Sequence, residues 1–108
     1  MVKKTESLLL PSTKEALILG LLNASSGSLF GLELVQKSDG HLKRGTVYVT
    51  LQRMEKRGLI ASEQEPRPDP QIGIPRRQYR ITGLGQRALD AYHAAHQAFS
   101  LDLVAGEA

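Results

Sequence analysis

Apolar residues in the first third of the chain recur at helical spacing, separated by short turn-forming stretches. The first run, residues 16–22, is apolar on every side, and Ser12 and Glu15 form a capping-box pattern just before it. A helix of that kind is buried all round, or is buried on one side and contacts a second subunit on the other. A second, short helix is predicted over residues 30–37, where apolar positions pair at i, i+3 and i, i+4.

The most regular pattern lies in residues 45–57, which predict a third helix. Val47, Leu51 and Met54 follow one another at i, i+4 and i+7 and form a single inner stripe. Gly58 follows at the position where a left-handed helix cap requires glycine. The short connection between the second and third helices is typical of a helix-turn-helix.

Two strands are predicted after the third helix, at residues 59–63 and 78–82. A stretch rich in proline and arginine, residues 65–77, separates them and predicts an extended loop. Thr82 then predicts the start of a long, alanine-rich final helix that reaches about Leu103. This order of elements predicts a mainly α (α+β) fold, a winged helix-turn-helix with a long C-terminal dimerisation helix.

The chain of 108 residues is long enough for one small core and too short for two. Its longest strongly apolar run has seven residues, whereas a membrane-spanning helix needs roughly 20. We therefore expect a cytoplasmic protein without a membrane partner. The expected organisation is an N-terminal arm (1–11), a winged helix-turn-helix domain (12–82), and a C-terminal dimerisation helix with a frayed tail from residue 105 (83–108).

The reactive side chains argue against catalysis. There is no cysteine, which excludes disulfides, thiolate zinc sites and a thiol nucleophile. His93 and His96 lie three residues apart on the predicted final helix, but only His41 remains as a further histidine ligand. No metal, no cofactor and no enzymatic activity are expected.

Positive charge is concentrated in the middle of the chain. Residues 41–80 hold nine basic residues against four acidic ones, a net charge of +5, while the whole chain carries only +3. Basic charge gathered on one segment is the electrostatic pattern of a protein that binds a polyanion. The alternative interpretation, an ordinary solvated surface, stays open from charge alone.

Three stretches of the chain resemble the PadR family of transcriptional regulators. Residues 45–60 begin Gly-Thr-Val-Tyr and close Gly-Leu-Ile, like that family's recognition helix. Residues 30–34 are similar to its second helix, and residues 79–85 to its strand-to-helix junction. The resemblance covers about residues 12–100 and implies a winged helix that binds DNA. Leu32 departs from it, because many members have tyrosine there.

The outward positions of the third helix are the candidates for contacting double-stranded DNA. An α-helix fits the major groove, and basic residues beside it contact phosphates. Tyr48 has two interpretations: its hydroxyl binds a phosphate, as the resemblance implies, or its ring packs at the helix–strand junction. The predicted contacts on this helix and its approach are Lys43, Arg44, Thr46, Tyr48, Val49, Gln52 and Arg53.

The proline-rich loop carries a second group of candidate contacts. Arginines at the tip of a β-ribbon suit a narrow minor groove or the phosphates beside it. The predicted wing contacts are Arg67, Arg76 and Arg77.

Apolar positions on the final helix predict a dimer. They form two stripes, and one small domain cannot cover both of them together with the all-apolar first helix. A twofold dimer would place two recognition helices on a palindromic site. The predicted interface residues are Leu17, Leu21, Leu84, Ala88, Ala91, Tyr92, Ala95 and Phe99.

We therefore expect a sequence-specific transcriptional regulator, a dimeric repressor on a palindromic operator. Its expected partners are double-stranded DNA and a second copy of the chain; relief by a small-molecule effector stays open. The alternative function is a winged-helix protein–protein adaptor that does not bind DNA. Salt-dependent retention on heparin distinguishes the two.

Overall fold

The structure, a computed structural model, describes residues 10–25, 27–65 and 76–107, with side chains up to residue 98. In this part of the chain it has the predicted winged-helix architecture, mainly helical with a small antiparallel sheet. The elements, in chain order, are α1 (Thr13–Ala24), β1 (Leu29–Phe30), α2 (Gly31–Lys37), α3 (Arg44–Lys56), β2 (Ile60–Gln64), β3 (Arg77–Ile81) and α4 (Gly83–Glu107).

The predicted capping box starts α1. The Ser12 side chain accepts a hydrogen bond from the Glu15 backbone N–H at 3.2 Å, and the Glu15 carboxylate accepts one from the Ser12 N–H at 2.9 Å. Two N–H groups that the helix itself cannot pair are thereby satisfied. The beginning of α1 is fixed by these two residues.

One hydrophobic core joins the helices to the sheet. The inner stripe of α3 is fully covered, since Val47, Leu51 and Met54 are each at most 1% exposed. The apolar first helix divides as its sequence suggested: Ile18, Leu19 and Leu22 are buried, while Leu17 and Leu21 pack against the core only partly buried. One side of α1 is thus available for another contact.

The turn after α3 uses glycine for its backbone conformation. Gly58 has φ +80°, a region that disfavours residues with a side chain. Its N–H bonds to the Glu55 carbonyl, and the Leu59 N–H bonds to the Met54 carbonyl, both at 3.0 Å. This pair of bonds is the Schellman motif, which confirms the predicted cap and directs the chain from α3 straight into β2.

The sheet has one strand that the sequence pattern did not predict. Its order is β1-β3-β2, and β1 pairs with β3 by placing Leu29 opposite Tyr79 and Phe30 opposite Gln78. A two-residue strand is too short to show an alternating pattern. β2 and β3 lie within one residue of their predicted bounds and pair from Ile60–Ile81 to Gln64–Arg77.

Helix α4 leaves the sheet through a tight junction. The Thr82 side chain accepts the Gly85 N–H at 3.0 Å and donates to the Gly58 carbonyl, so the predicted cap also holds the end of α3. A Cβ on Gly85 would overlap the Leu59 carbonyl, which places α4 directly against the backbone at the start of β2. The helix continues to Glu107, past the predicted end near Leu103. Among the described helices, none combines the length and the hydropathy that a membrane span requires.

Candidate nucleic-acid interface

Helix α3 presents a solvent-facing surface opposite its buried stripe. Thr46, Val49, Gln52 and Arg53, all predicted DNA contacts, are exposed there. Val49 is 56% exposed, although it is apolar. Because the inner stripe anchors the helix in the core, this outer face is held rigidly.

The N-terminal end of α3 adds two exposed basic residues. Lys43 is the N-cap and Arg44 the first residue of the helix, and the N-cap makes no side-chain hydrogen bond to the helix. The Thr46 hydroxyl turns back to the Lys43 carbonyl at 3.4 Å, which is long for a hydrogen bond between oxygens. This end of the helix therefore combines two exposed basic residues with a helix N-terminus, an arrangement that suits an anion.

Tyr48 lies beside the helix-turn-helix connection with 47% of its surface exposed. Its ring passes so close to Gly31 that a Cβ there would lie 2.5 Å from Tyr48 Cε1. Both interpretations made from the sequence have a counterpart here, since the ring packs within the chain while the residue remains accessible to solvent. The packing explains why glycine starts α2.

An open groove of about 590 Å³ brings the two predicted groups of DNA contacts together. It lies between the starts of α2 and α3 and the first residues of β3. Three arginines and three aromatic rings meet there, although more than 30 positions separate Arg44 from Arg76. The lining residues are Phe30, Gly31, Leu32, Arg44, Tyr48, Arg76, Arg77 and Tyr79.

Arg76 is engaged by partners within the chain. Its Nε and Nη2 donate to the two carboxylate oxygens of Glu65, both at 3.0 Å. The guanidinium also lies over the Phe30 ring, 4.1 Å from its centroid, as in a cation–π contact. These contacts join β3 to the residue that follows β2 and to β1, so Arg76 ties the base of the wing to the helix-turn-helix.

Arg77, the next residue along the chain, belongs to a separate hydrogen-bond network. Its Nε donates to Ser62 Oγ at 3.0 Å, and the Ser62 hydroxyl donates to the Glu55 carboxylate at 2.8 Å. Glu55 belongs to α3, so this chain of hydrogen bonds links β3 to the recognition helix across β2. Arg77 is exposed, and among the described residues no carboxylate forms an ion pair with it.

Tyr79 forms part of the groove wall and is buried, with 6% of its surface exposed. Burial raises the pKa of Tyr79 above its ordinary value of 10.0, because a phenolate is poorly solvated there. The Arg77 charge opposes this shift, while Glu55 and Tyr48 add to it. The phenol is therefore neutral at physiological pH.

Some predicted site residues fall outside the described side chains. Arg67 lies between the described ranges, and the side chain of Phe99 lies beyond residue 98. Within the described residues, no cluster of three histidine, aspartate or glutamate side chains is arranged to hold a metal ion.

The predicted dimer stripe on α4 divides into two parts. Ala88 is 1% exposed and belongs to the core of its own chain, so its assignment to the interface was wrong. Leu84 also packs against that core, although partly exposed. Ala91 and Ala95 are exposed. Ala88 and Ala95 differ in exposure because α4 extends past the domain. The same side of the helix covers the core near Ala88 and faces solvent near Ala95.

Helices α1 and α4 form a shallow, open cavity of about 360 Å³ where they pack together. The Tyr92 and His96 rings lie against each other on α4, with their centroids 4.2 Å apart. Three of the predicted interface residues lie at this cavity, whose lining is Thr13, Ala16, Leu17, Gly20, Leu21, Tyr92 and His93.

Two residues that contact Arg76 were missed as site candidates. Phe30 and Glu65 hold Arg76, and neither was assigned a role from its spacing. The available signal for Phe30 was its place in the Phe-Gly stretch at the start of the second helix. For Glu65 the signal was its position as the first residue of the arginine-rich loop, just after the first predicted strand.

A winged helix with an exposed recognition helix defines a class of protein, the winged-helix regulators. The model of the transcriptional regulator PadR-like family matches residues 18–91 of the chain. The chain therefore belongs to the PadR-like family of transcriptional regulators, whose members are regulators and not enzymes.

A sequence relative and two solved structures are consistent with this membership. The transcriptional regulator Rv3488 of Mycobacterium tuberculosis is 33% identical over 90 residues, covering 81% of this chain and 80% of that protein. A PadR-like transcription factor structure from Bacteroides fragilis matches with a TM-score of 0.74 at 24% identity, covering 99% and 98% of the two chains. A PadR-like regulator structure from Bacillus cereus matches with a TM-score of 0.64 at 27% identity, covering 82% and 85%.

Proposed function

We propose that the protein is a dimeric repressor that binds a palindromic operator in double-stranded DNA. The observation that carries this proposal is the groove where Arg44 at the start of α3 meets Arg77 at the base of the wing. Both arginines are exposed and line the same groove. A DNA backbone passing this groove would meet two positive charges, one from each group of predicted contacts.

In the proposed complex, α3 lies in the major groove and its flanking residues bind phosphates. Arg53 and Gln52 face base edges, since arginine and glutamine have the donor geometry for guanine and adenine. Lys43, Arg44 and Tyr48 contact the backbone and fix the position of the helix on the duplex. The membership in a regulator family favours this function over the protein–protein adaptor.

The wing arginines have separate roles in this proposal. Arg77 contacts a phosphate, because none of the carboxylates that the structure describes is paired directly with its charge. Arg76 holds the wing base instead, because Glu65 neutralises its charge and Phe30 covers one face of its guanidinium. Arg67 stays a proposed wing contact on the sequence alone.

The proposed dimer forms through α1 and the exposed part of α4. Leu17, Leu21, Ala91 and Ala95 offer an apolar surface that their own chain leaves partly or fully uncovered. Small side chains on α4 allow two helices to approach closely. Repression needs only occupancy of the operator, so this assembly requires no further activity.

An effector site between α1 and α4 is a further element of the proposal. The PcaV transcriptional regulator from Streptomyces coelicolor, whose structure matches at 22% identity with a TM-score of 0.62, was solved with its natural ligand. The cavity beside Leu21 and Tyr92 adjoins the proposed dimer surface. A ligand bound there would change how the two copies pack, and with it the distance between recognition helices.

Selection of bound fragments from the source organism's genomic DNA tests this function. The expected result is a palindromic sequence bound by a dimer, with affinity that falls steeply as salt increases. Sedimentation of the protein with and without the selected duplex gives the stoichiometry. Recovery of unrelated fragments, with no common sequence, would contradict a sequence-specific regulator.

A further inference from the structure

The centre of the outer face of α3 is apolar. Val47, Leu51 and Met54 define the buried side, and at 100° per residue Val49 points almost directly away from them. Val49 is 56% exposed, the largest exposed fraction among the chain's exposed large hydrophobic residues in the described ranges. An isolated surface valine needs no explanation, but this one occupies the middle of the surface proposed to enter the major groove.

The surroundings of Val49 leave room for a small apolar group. Gly45 lies one turn earlier on the same side, and a Cβ built there would meet nothing within 4 Å. One turn later the helix carries Gln52 and Arg53, which are long and polar. A base edge that approaches this face therefore meets the Val49 side chain, with open space beside Gly45 on one side and hydrogen-bonding side chains on the other.

The major groove presents one apolar group on its natural base edges, the C5-methyl group of thymine. We infer that Val49 is a specificity-determining residue that reads a thymine methyl near the centre of each operator half-site. The inference rests on the proposed function and adds the base type that the apolar centre selects. Arg53 and Gln52 then read the neighbouring positions by hydrogen bonds.

The contact is tested by removing the methyl group from the DNA and the valine methyls from the protein. A duplex enriched from a random-sequence pool by the wild-type protein is resynthesised with deoxyuridine in place of thymidine, one position at a time. Deoxyuridine pairs as thymidine does and lacks only the C5-methyl. The variant is Val49→Ala, and an exposed valine on a well-anchored helix should be replaceable without loss of the fold, which circular dichroism checks.

At one thymidine in each half-site, loss of the methyl group is expected to weaken binding measurably. Its replacement by deoxyuridine weakens wild-type binding about fourfold, the effect of losing one buried methyl group. Val49→Ala reduces that difference to less than about twofold, because the valine that touched the methyl is gone. Lys56→Ala is the matched control: the residue lies on the same outer face, and its loss weakens both duplexes while leaving their ratio unchanged.

Two results would overturn the inference while leaving the regulator intact. One is specific binding in which no deoxyuridine costs more than twofold. The other is a fourfold penalty of the same size in Val49→Ala, which would assign the methyl contact to a different residue. Failure to enrich any sequence from the pool would overturn the proposed function and this inference together.

Discussion

Glu15 in the first turn of α1 binds Arg57 at the end of α3, with Arg57 Nη1 lying 3.0 and 3.1 Å from the two carboxylate oxygens. The same carboxylate accepts the Ser12 N–H of the capping box. One side chain therefore starts α1 and fixes the C-terminal end of the recognition helix. Since α1 also carries the proposed dimer surface, the pair connects that surface to the DNA-contacting helix.

We predict that Glu15→Gln destabilises the fold by about 1–3 kcal/mol. Glutamine keeps an oxygen for the Ser12 N–H but loses the charge that binds Arg57, whose side chain is 27% exposed. Glu15→Ala should cost about 1 kcal/mol more, because the capping box is then lost as well. Urea unfolding measures both. Glu63→Gln, which alters an exposed carboxylate on β2, is the control and should change little.

Arg53→Ala is expected to weaken binding to the selected operator by about 1–3 kcal/mol and to relax one base position. The arginine is exposed on the outer face of α3, where it can reach a base edge. Titration of the operator, and of variants changed at each position, measures the loss. An equal loss for operator and random duplex would mean that Arg53 contacts phosphate only.

The two wing arginines are expected to differ in the salt dependence of binding. Arg77→Ala should lower the slope of log K against log salt by about 0.9, the value for one phosphate contact. Arg76→Ala should weaken binding with a smaller change in slope, because Glu65 already neutralises its charge. Affinities at several salt concentrations give both slopes. Equal decreases in the two variants would show that Arg76 touches the DNA.

Ala95→Glu should split the proposed dimer while leaving the domain folded. Ala95 is exposed in the single chain, so the substitution places no charge in that chain's core. In a dimer interface it would place an unpaired carboxylate among apolar groups, at a cost of several kcal/mol. DNA affinity should fall as well, since a monomer holds only one half-site.

Sedimentation and circular dichroism on the same sample decide that prediction. Ala94→Glu is the matched control, with the same charge introduced one residue earlier on a different face of α4. A wild-type protein that sediments as a folded monomer would contradict the dimer, as would a control variant that dissociates equally.

Replacement of Tyr79 by phenylalanine is expected to change the pH dependence of stability. The pKa of Tyr79 is raised in the folded state, so the folded protein holds the phenolic proton more tightly than the unfolded chain does. This contribution is complete below the unfolded value of about 10 and is lost as pH rises through the folded value. Wild type should therefore lose stability relative to Tyr79→Phe above about pH 10. Parallel unfolding curves for the two proteins would contradict the shift.

Local patterns in the sequence were sufficient for the helices and their caps. The capping box of Ser12 and Glu15 and the left-handed Gly58 involve residues within a few positions of one another, so their spacing carries the information. The inner stripe of α3 follows from helical periodicity in the same way. These features were confirmed because no distant contact is needed to form them.

The remainder of the site depends on contacts between distant residues. Glu65, Arg76 and Phe30 meet only because β1 and β2 flank the same strand, and β1 was too short to predict. Periodicity also identified the α4 side that carries Ala88 and Ala95, but not where along the helix the core ends. Burial separates these two alanines, and it is set by the size of the domain beneath the helix.

The close approach of Gly85 to Leu59 has a consequence for operator geometry. Helix α4 has 25 residues, a length of roughly 37 Å, and the glycine lies near its first turn. A side chain there would push the helix off the β2 backbone, and a tilt of about 10° would move its far end by roughly 6 Å, the length of almost two base pairs. In the proposed dimer such a displacement would change the separation of the two recognition helices. The preferred distance between half-sites of the proposed operator would therefore depend on Gly85, a residue buried within its own chain.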